Sequence, residues 1–313
     1  MFRRVTLAAV AALVTLGATA CAAAGPAAPA TGASDAVTVV VGLYPFEYLA
    51  ARVGGDQVAL ANLTQPGAEP HDLELTARQV AAVAEADVVV YLSGLQPAVD
   101  DAVAQGQPAH AVDVADVVEL VALTGPGAEA GDADDDHALS GLDPHVWLDP
   151  ERMVDITAAI AGALAAADPD HAADYQANAA TVSAELQALD QAYRTGLADC
   201  DRDAFVTAHA AFGYLADRYG LVQVPIAGLA PDAEPSPARV AAVQALAREY
   251  GVTTIFFETL ASPALAETIA GDLGLTTAVL DPIEGITDQS AAPDYPGLME
   301  ANLAALRQAN GCR

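Results

Sequence analysis

"VTVVVGLYPFEYLAARVGG", residues 37–55, decides the fold. Residues 37–43 form a short β-branched run, with almost no polar side to offer to water. Such a strand belongs in a sheet covered on both faces, as parallel α/β sheets are. The stretch behind it reads as a helix ended by glycine. The alternation then repeats. "QVALANL" (57–63) is a strand, and a loop leads from it to Thr76. Thr76 and Gln79 form a T-x-x-Q capping box, so a helix starts at Thr76. "DVVVYL" (87–92), a short helix near 95–104 and a strand near 109–114 complete a four-strand half.

Beyond Asp149 the pattern changes. Asp149 serves as an N-cap with Pro150 at the first helical position, and the helix runs to about Ala167. A second helical stretch over 169–198 predicts a spine about 45 Å long at 1.5 Å per residue. Four more strands follow, "AFVTA" (204–208), "LVQVPI" (221–226), "TTIFFE" (253–258) and "TTAVLD" (276–281). Helices are expected near 211–219, 236–250, 262–273 and 296–309. The predicted fold class is α/β: two βα lobes with parallel four-stranded sheets, joined by a long rigid spine helix. The expected boundaries are 37–168 for the first lobe, 169–199 for the connecting helix and 200–313 for the second lobe.

The chain has 313 residues, 42 acids and 12 arginines, with no lysine and a net charge of −30. That charge excludes nucleic acid and anionic lipid as direct ligands. The absence of lysine excludes a Walker A motif, so the chain is not an ATPase. Arg3 and Arg4 precede an apolar run too short and Ala-rich for a membrane span, and residues 1–20 read as an export signal. The run ends at Cys21 in surroundings resembling a bacterial lipobox, though Ala18 stands where that pattern usually has leucine. Cys21 is thus the expected lipidation site, with an unlipidated secreted form as the alternative. Residues 21–36 read as a small-residue tether. Cys200 and Cys312 then remain as a candidate disulfide in an oxidising compartment; two unpaired thiols are the alternative.

Three histidines and one aspartate stand out by position. His71 follows the second strand, His209 follows "AFVTA", Asp281 ends "TTAVLD", and His145 precedes the helix that leads to the spine. Ligands of open parallel sheets bind beyond the carboxyl ends of the strands. Three imidazoles and a carboxylate also make a tetrahedral zinc shell. Spacing alone does not settle the set: a lone loop histidine is usually a satisfied polar residue, and an acid at a strand end, like Asp281, often serves as a turn or cap residue. His110 and His171 receive no role. The acidic loop 124–143 is not an EF-hand, because His137 stands at position 6 and Asp143 at position 12 when counted from Asp132.

The motifs "GAEPHDLELTARQV", "DPHVWLDP", "TAHAAFGYLADRYG", "IFFETLASP" and "LDPIEG" together resemble the cluster A-I (cluster 9) solute-binding proteins. These are metal-binding lipoproteins of ABC importers, and the resemblance is to their zinc-uptake branch. It implies an exported, lipid-anchored, monomeric receptor, at the outer face of the cytoplasmic membrane or in the periplasm. Such a receptor delivers Zn2+ to a separate permease and is not an enzyme. Carried over by position, the ligands would be His71, His145, His209 and Asp281. Glu69 would be the second-ranked carboxylate, and His137 a capturing residue on the loop. Glu258 would support a ligand from behind, Asp72 and Asp143 would accept the outer imidazole N–H groups, and Trp147 would pack between the halves. The alternatives are a manganese or iron receptor of the same family, or a surface adhesin with bound metal. A hydrolytic zinc enzyme is the rival class, without H-E-x-x-H or G-x-S-x-G to support it.

Overall fold

The computed structural model describes residues 36–123, 126, 141–229, 231 and 233–313. The export signal, Cys21, most of the tether and His137 lie outside these residues.

The first lobe comprises β1 (Val37–Val41), α1 (Tyr44–Gly54), β2 (Val58–Asn62), α2 (Ala77–Glu85), β3 (Val88–Tyr91), α3 (Pro97–Gly106), β4 (His110–Asp113) and the short α4 (Val114–Val117). The strands are all parallel and ordered β2-β1-β3-β4. Strand periodicity sends neighbouring residues to opposite faces. Accordingly Val39, Val41, Val88 and Val90 enter the central core, whereas Val40 and Val89 pack with Val83 and Val99 on the other face. The double apolar face of β1 therefore has a covering layer on each side. Thr76 caps α2 with both halves of the capping box in place.

Two long helices follow, α5 (Pro150–Ala167) and α6 (Ala172–Gly196). Asp149 caps α5 by accepting from the Glu151 N–H, with Pro150 in the first turn. The expected spine is shorter than its sequence pattern. Pro169–His171 form a single 3-10 turn, and the α-helix itself has 25 residues, about 38 Å. Its buried apolar residues Tyr175, Ala179, Val182, Leu186, Leu189 and Tyr193 alternate in steps of four and three, which keeps one stripe facing inward.

The second lobe holds β5 (Ala204–Thr207), α7 (Gly213–Tyr219), β6 (Val222–Pro225), α8 (Pro237–Glu249), β7 (Thr254–Phe257), α9 (Ala264–Leu273), β8 (Thr276–Val279) and α10 (Tyr295–Asn310). Its strand order, β6-β5-β7-β8, matches the first sheet. Val206 and Ile255 face a local cluster under α8 and α9, while Phe205 and Phe256 face the central core. That core is continuous. It takes in residues of both sheets, α1, α5, α6 and α10. Cys200 and Cys312 form a disulfide that ties the end of α6 to the chain end beyond α10.

Candidate metal centre

Four side chains from four loops meet where the lobes face one another: His71, His145, His209 and Glu284. Their potential ligand atoms all lie within 4.8 Å of one another. His71 sits in the loop between β2 and α2. Its N–H donates to Glu69 Oε2 at 2.9 Å, and the buried amide of Gln96 donates to Pro70 O at 3.2 Å. Gln96 also donates to Thr64 Oγ1, and a Cβ at Gly42 would stand 2.7 Å from Gln96 Oε1, so glycine makes room for this anchor.

His145 precedes a 3-10 turn, Val146–Leu148, that leads into α5. Its Nδ1 lies 2.8 Å from Asp143 Oδ1. An ionised carboxylate only accepts, so Nδ1 carries the hydrogen and Nε2 is turned toward the centre. Asp143 is in turn held from the other lobe. Tyr214 of α7 donates to its carbonyl at 2.8 Å, and Gly213 comes so close that an added Cβ would meet Asp143 Oδ2 at 2.5 Å. His209 follows β5, with Nδ1 2.8 Å from Glu258 Oε1 at the end of β7. Thr207 and Gln223 both donate to the His209 carbonyl and fix the loop.

The fourth member differs from the sequence expectation. Asp281 is not in the group. Its Oδ1 accepts the Ile283 N–H at 2.8 Å and its Oδ2 accepts from Thr259 at 3.1 Å, so the carboxylate is spent on a turn. Asn302 of α10 pairs with both the N–H and the carbonyl of Asp281. The turn delivers Glu284, three residues on, to the centre. The clue was within "LDPIEG": an aspartate before proline favours a turn, which hands the inward position to the next acid. Glu69 stands at the margin, with Oε1 4.0 Å from His71 Nε2 and without a hydrogen-bond partner among the described residues. Asp72 does not take the role expected of it; its N–H donates to Glu69. His110 lies in β4, and His171 pairs with Asp168, both remote from the group.

The three Nε2 atoms converge on Glu284 Oε1, at 3.3 Å from His71, 3.2 Å from His145 and 3.7 Å from His209. His145 and His209 Nε2 are 3.4 Å apart. A tetrahedral ion with bonds of about 2.0–2.1 Å separates its ligands by about 3.3 Å. The separations among His145, His209 and Glu284, and that of His71 from Glu284, are therefore close to those of a tetrahedral shell, and all four donor atoms lie within 4.8 Å of one another. Three imidazoles with a single carboxylate oxygen are the donor set of zinc rather than of oxygen-preferring manganese. Exposure is one-sided: the His71 side chain is 14% exposed, whereas His145 is fully buried and His209 and Glu284 are 1% exposed.

The electrostatics are those of a cation site. Burial works against the charge of Glu284, yet its hydrogen bonds to His145, His209 and His71 hold the carboxyl well below its ordinary range. Burial also disfavours a charged His209, but the Glu258 carboxylate outweighs it and pushes the imidazole up to about 10. His145 moves the same way, with burial overcome by Asp143 and Glu284. At neutral pH the elevated His209 imidazole holds, in the metal-free protein, a proton where an ion would sit.

A family model for the zinc-uptake complex component A, periplasmic (ZnuA), matches residues 39–309. The zinc-binding lipoprotein AdcA of Streptococcus pneumoniae is 38% identical over 282 residues, covering 87% of this chain and 55% of that protein. The chain thus spans about half the length of that relative. The high-affinity zinc uptake system protein ZnuA of Bacillus subtilis is 34% identical over 279 residues, 87% of each chain. Among solved structures, Zn(II)-bound AdcA from Streptococcus pneumoniae superposes with a TM-score of 0.73 at 35% identity, over 88% of this chain and 58% of that one. The laminin-binding protein Lmb of Streptococcus agalactiae, described as a bifunctional protein with adhesin and metal-transporting activity, gives a TM-score of 0.76 at 29% identity, over 87% and 99%.

Proposed function

The chain belongs to the family of zinc-uptake complex component A, and on that premise we propose that it is an extracytoplasmic high-affinity receptor delivering Zn2+ to a separate ABC permease. The observation that carries this reading is the meeting of His71, His145, His209 and Glu284, with three imidazole nitrogens around one carboxylate oxygen. Glu284 takes the carboxylate place and Asp281 holds its turn. Residues 37–168 and 200–313 act as the two lobes around the site, with 169–199 as the connection. The receptor works as a monomer, exported and anchored through Cys21. No described helix is long and apolar enough to cross a membrane.

A fully protein-ligated ion leaves no position for an activated water, so the protein has no hydrolytic activity. Turnover of model esters by the zinc form, lost in His209→Ala, would revive the enzyme reading. The likeness to Lmb gives the adhesin reading its one observation. Rescue of growth at limiting zinc, in cells lacking their own receptor, separates uptake from adhesion. The central test is competitive titration with Zn2+, Mn2+ and Fe2+, followed by mass analysis of the bound ion. Zinc is expected to prevail, and His209→Ala to lose that binding. Unchanged zinc affinity in His209→Ala would overturn the site.

A further inference from the structure

We infer that Trp147 is a positioning residue that sets the metal selectivity of the site, by holding the turn of Glu284 so that its carboxylate offers a single oxygen. This rests on the zinc-receptor reading and deepens it.

Trp147 is the sole tryptophan of the chain and is fully buried, two residues beyond His145. Its ring stands edge-on to His145, with centroids 5.2 Å apart, and edge-on to Phe46 at 6.3 Å. Its Nε1–H donates to Pro282 O at 2.7 Å, two residues before Glu284. Tyr295 donates to the Trp147 carbonyl at 2.6 Å, so the residue is fixed at backbone and ring alike. One side chain therefore links the loop of His145 to the turn of Glu284.

That turn needs holding. Ile283 has a φ of 60°, a left-handed conformation that a β-branched residue adopts only under constraint. Two devices supply the constraint: the Asp281 carboxylate on the Ile283 N–H, and the Trp147 indole on the Pro282 carbonyl. Released, Ile283 would relax toward negative φ and swing the Glu284 carboxylate. Held, the turn keeps Oε1 at the point where the three imidazoles converge. Three nitrogens and one oxygen suit a four-coordinate ion. Ions that favour six ligands and more oxygen gain only when the carboxylate can turn and offer both oxygens. Freedom in the turn thus erodes discrimination before it erodes binding.

The test uses the full chain with Trp147→Phe, which keeps a ring but loses the donor. Asp281→Ala removes the other constraint, and Asp281→Asn retains an acceptor for the Ile283 N–H. Two quantities are read for each: the ratio of Zn2+ to Mn2+ affinity, and the visible absorption of the Co2+ form, intense for four-coordinate and weak for higher-coordinate cobalt. In Trp147→Phe and Asp281→Ala the ratio of Zn2+ to Mn2+ affinity is expected to fall by about tenfold, no more than the affinity usually lost with a direct outer partner of a metal ligand. The cobalt bands should weaken alongside, while Asp281→Asn keeps the wild-type ratio and spectrum. A wild-type ratio and spectrum in Trp147→Phe overturns the inference. So does an equal loss of both affinities, which marks a merely structural role. If Trp147→Phe does not fold, Asp281→Ala decides by the same two readings. Failure of the wild-type protein to bind zinc strikes the receptor reading instead.

Discussion

Glu284 keeps a negative charge at a fully buried position because three imidazole nitrogens surround one of its oxygens. Asp281, three residues earlier, faces the opposite situation. Burial is the main influence on it and raises its carboxyl, while the Ile283 N–H and Thr259 act against that rise. Substitution separates the two acids. Glu284→Gln should lower zinc affinity by more than about a hundredfold, beyond the loss usual for an outer partner, and Asp281→Asn by less than about tenfold. Isothermal titration against a competing chelator measures both, and a larger loss in Asp281→Asn would return the ligand role to Asp281. The proton on the His209 imidazole leads to a second expectation. His209 in the metal-free protein titrates at about 10, above the ordinary 6.5. Its protonated pairing with Glu258 therefore stabilises the metal-free fold fully below about pH 6.5, and that contribution is lost as pH rises through about 10. Zinc needs the neutral ring, so binding near neutral pH must expel the His209 proton. Calorimetry in buffers of different ionisation enthalpy should show about one or more protons released per ion, and Glu258→Gln, which removes the carboxylate that raises the His209 imidazole, should lower that number.

At the scale of elements, local chemistry left clear marks in the sequence. Thr76 and Gln79 form both halves of a capping box, and Asp149 with Pro150 opens α5, because caps depend on residues within one turn. The eight strands fall within the apolar runs that announced them, trimmed by a residue or more at most ends. The spine was overextended because proline at its start is equally at home in a 3-10 turn. What distance in sequence hides was not legible. The Asp-Pro pair of "LDPIEG" hints at a turn, but nothing near Asp281 reveals that Asn302 or Trp147 will hold it. The closeness of Gly213 to Asp143, which braces His145 from the opposite lobe, is hidden for the same reason. The Cys200–Cys312 bond acts on this scale too. It closes a separation of 112 residues, and a loop of that size corresponds to about 4–5 kcal/mol on the chain-entropy view. Urea unfolding of the oxidised protein and of Cys200→Ser/Cys312→Ser should differ by up to that amount. Zinc affinity should stay unchanged, since neither cysteine approaches the site.

For the molecule as a whole, the decisive feature is that the inner faces of the two lobes share one core, although each lobe keeps a smaller cluster of its own on its outer face. Val39 and Val90 of one sheet, Phe205 and Phe256 of the other, and the inward stripe of α6 belong to a single apolar cluster. Parting the lobes would expose part of that cluster, at about 25 cal/mol for each Å² uncovered. The loop of His71 has the least such cost: its histidine lies at the exposed margin of the site, whereas Val146, Trp147, Phe212 and Ile283 beside the other three ligands belong to the shared core. Capture and release should therefore proceed through loop movement and small shifts, not through wide hinge opening. Hydrogen exchange with and without zinc distinguishes these modes. Binding should slow exchange in the segments around His71, His145, His209 and Glu284, and leave α6 and α10 as protected in the metal-free form as in the loaded one. Equal exchange at all four segments in the two forms would rule out loop-gated release. Faster exchange along the inner faces of α6 and α10 in the metal-free form would instead mean that the shared core opens, and that the central helix behaves as a hinge rather than a brace.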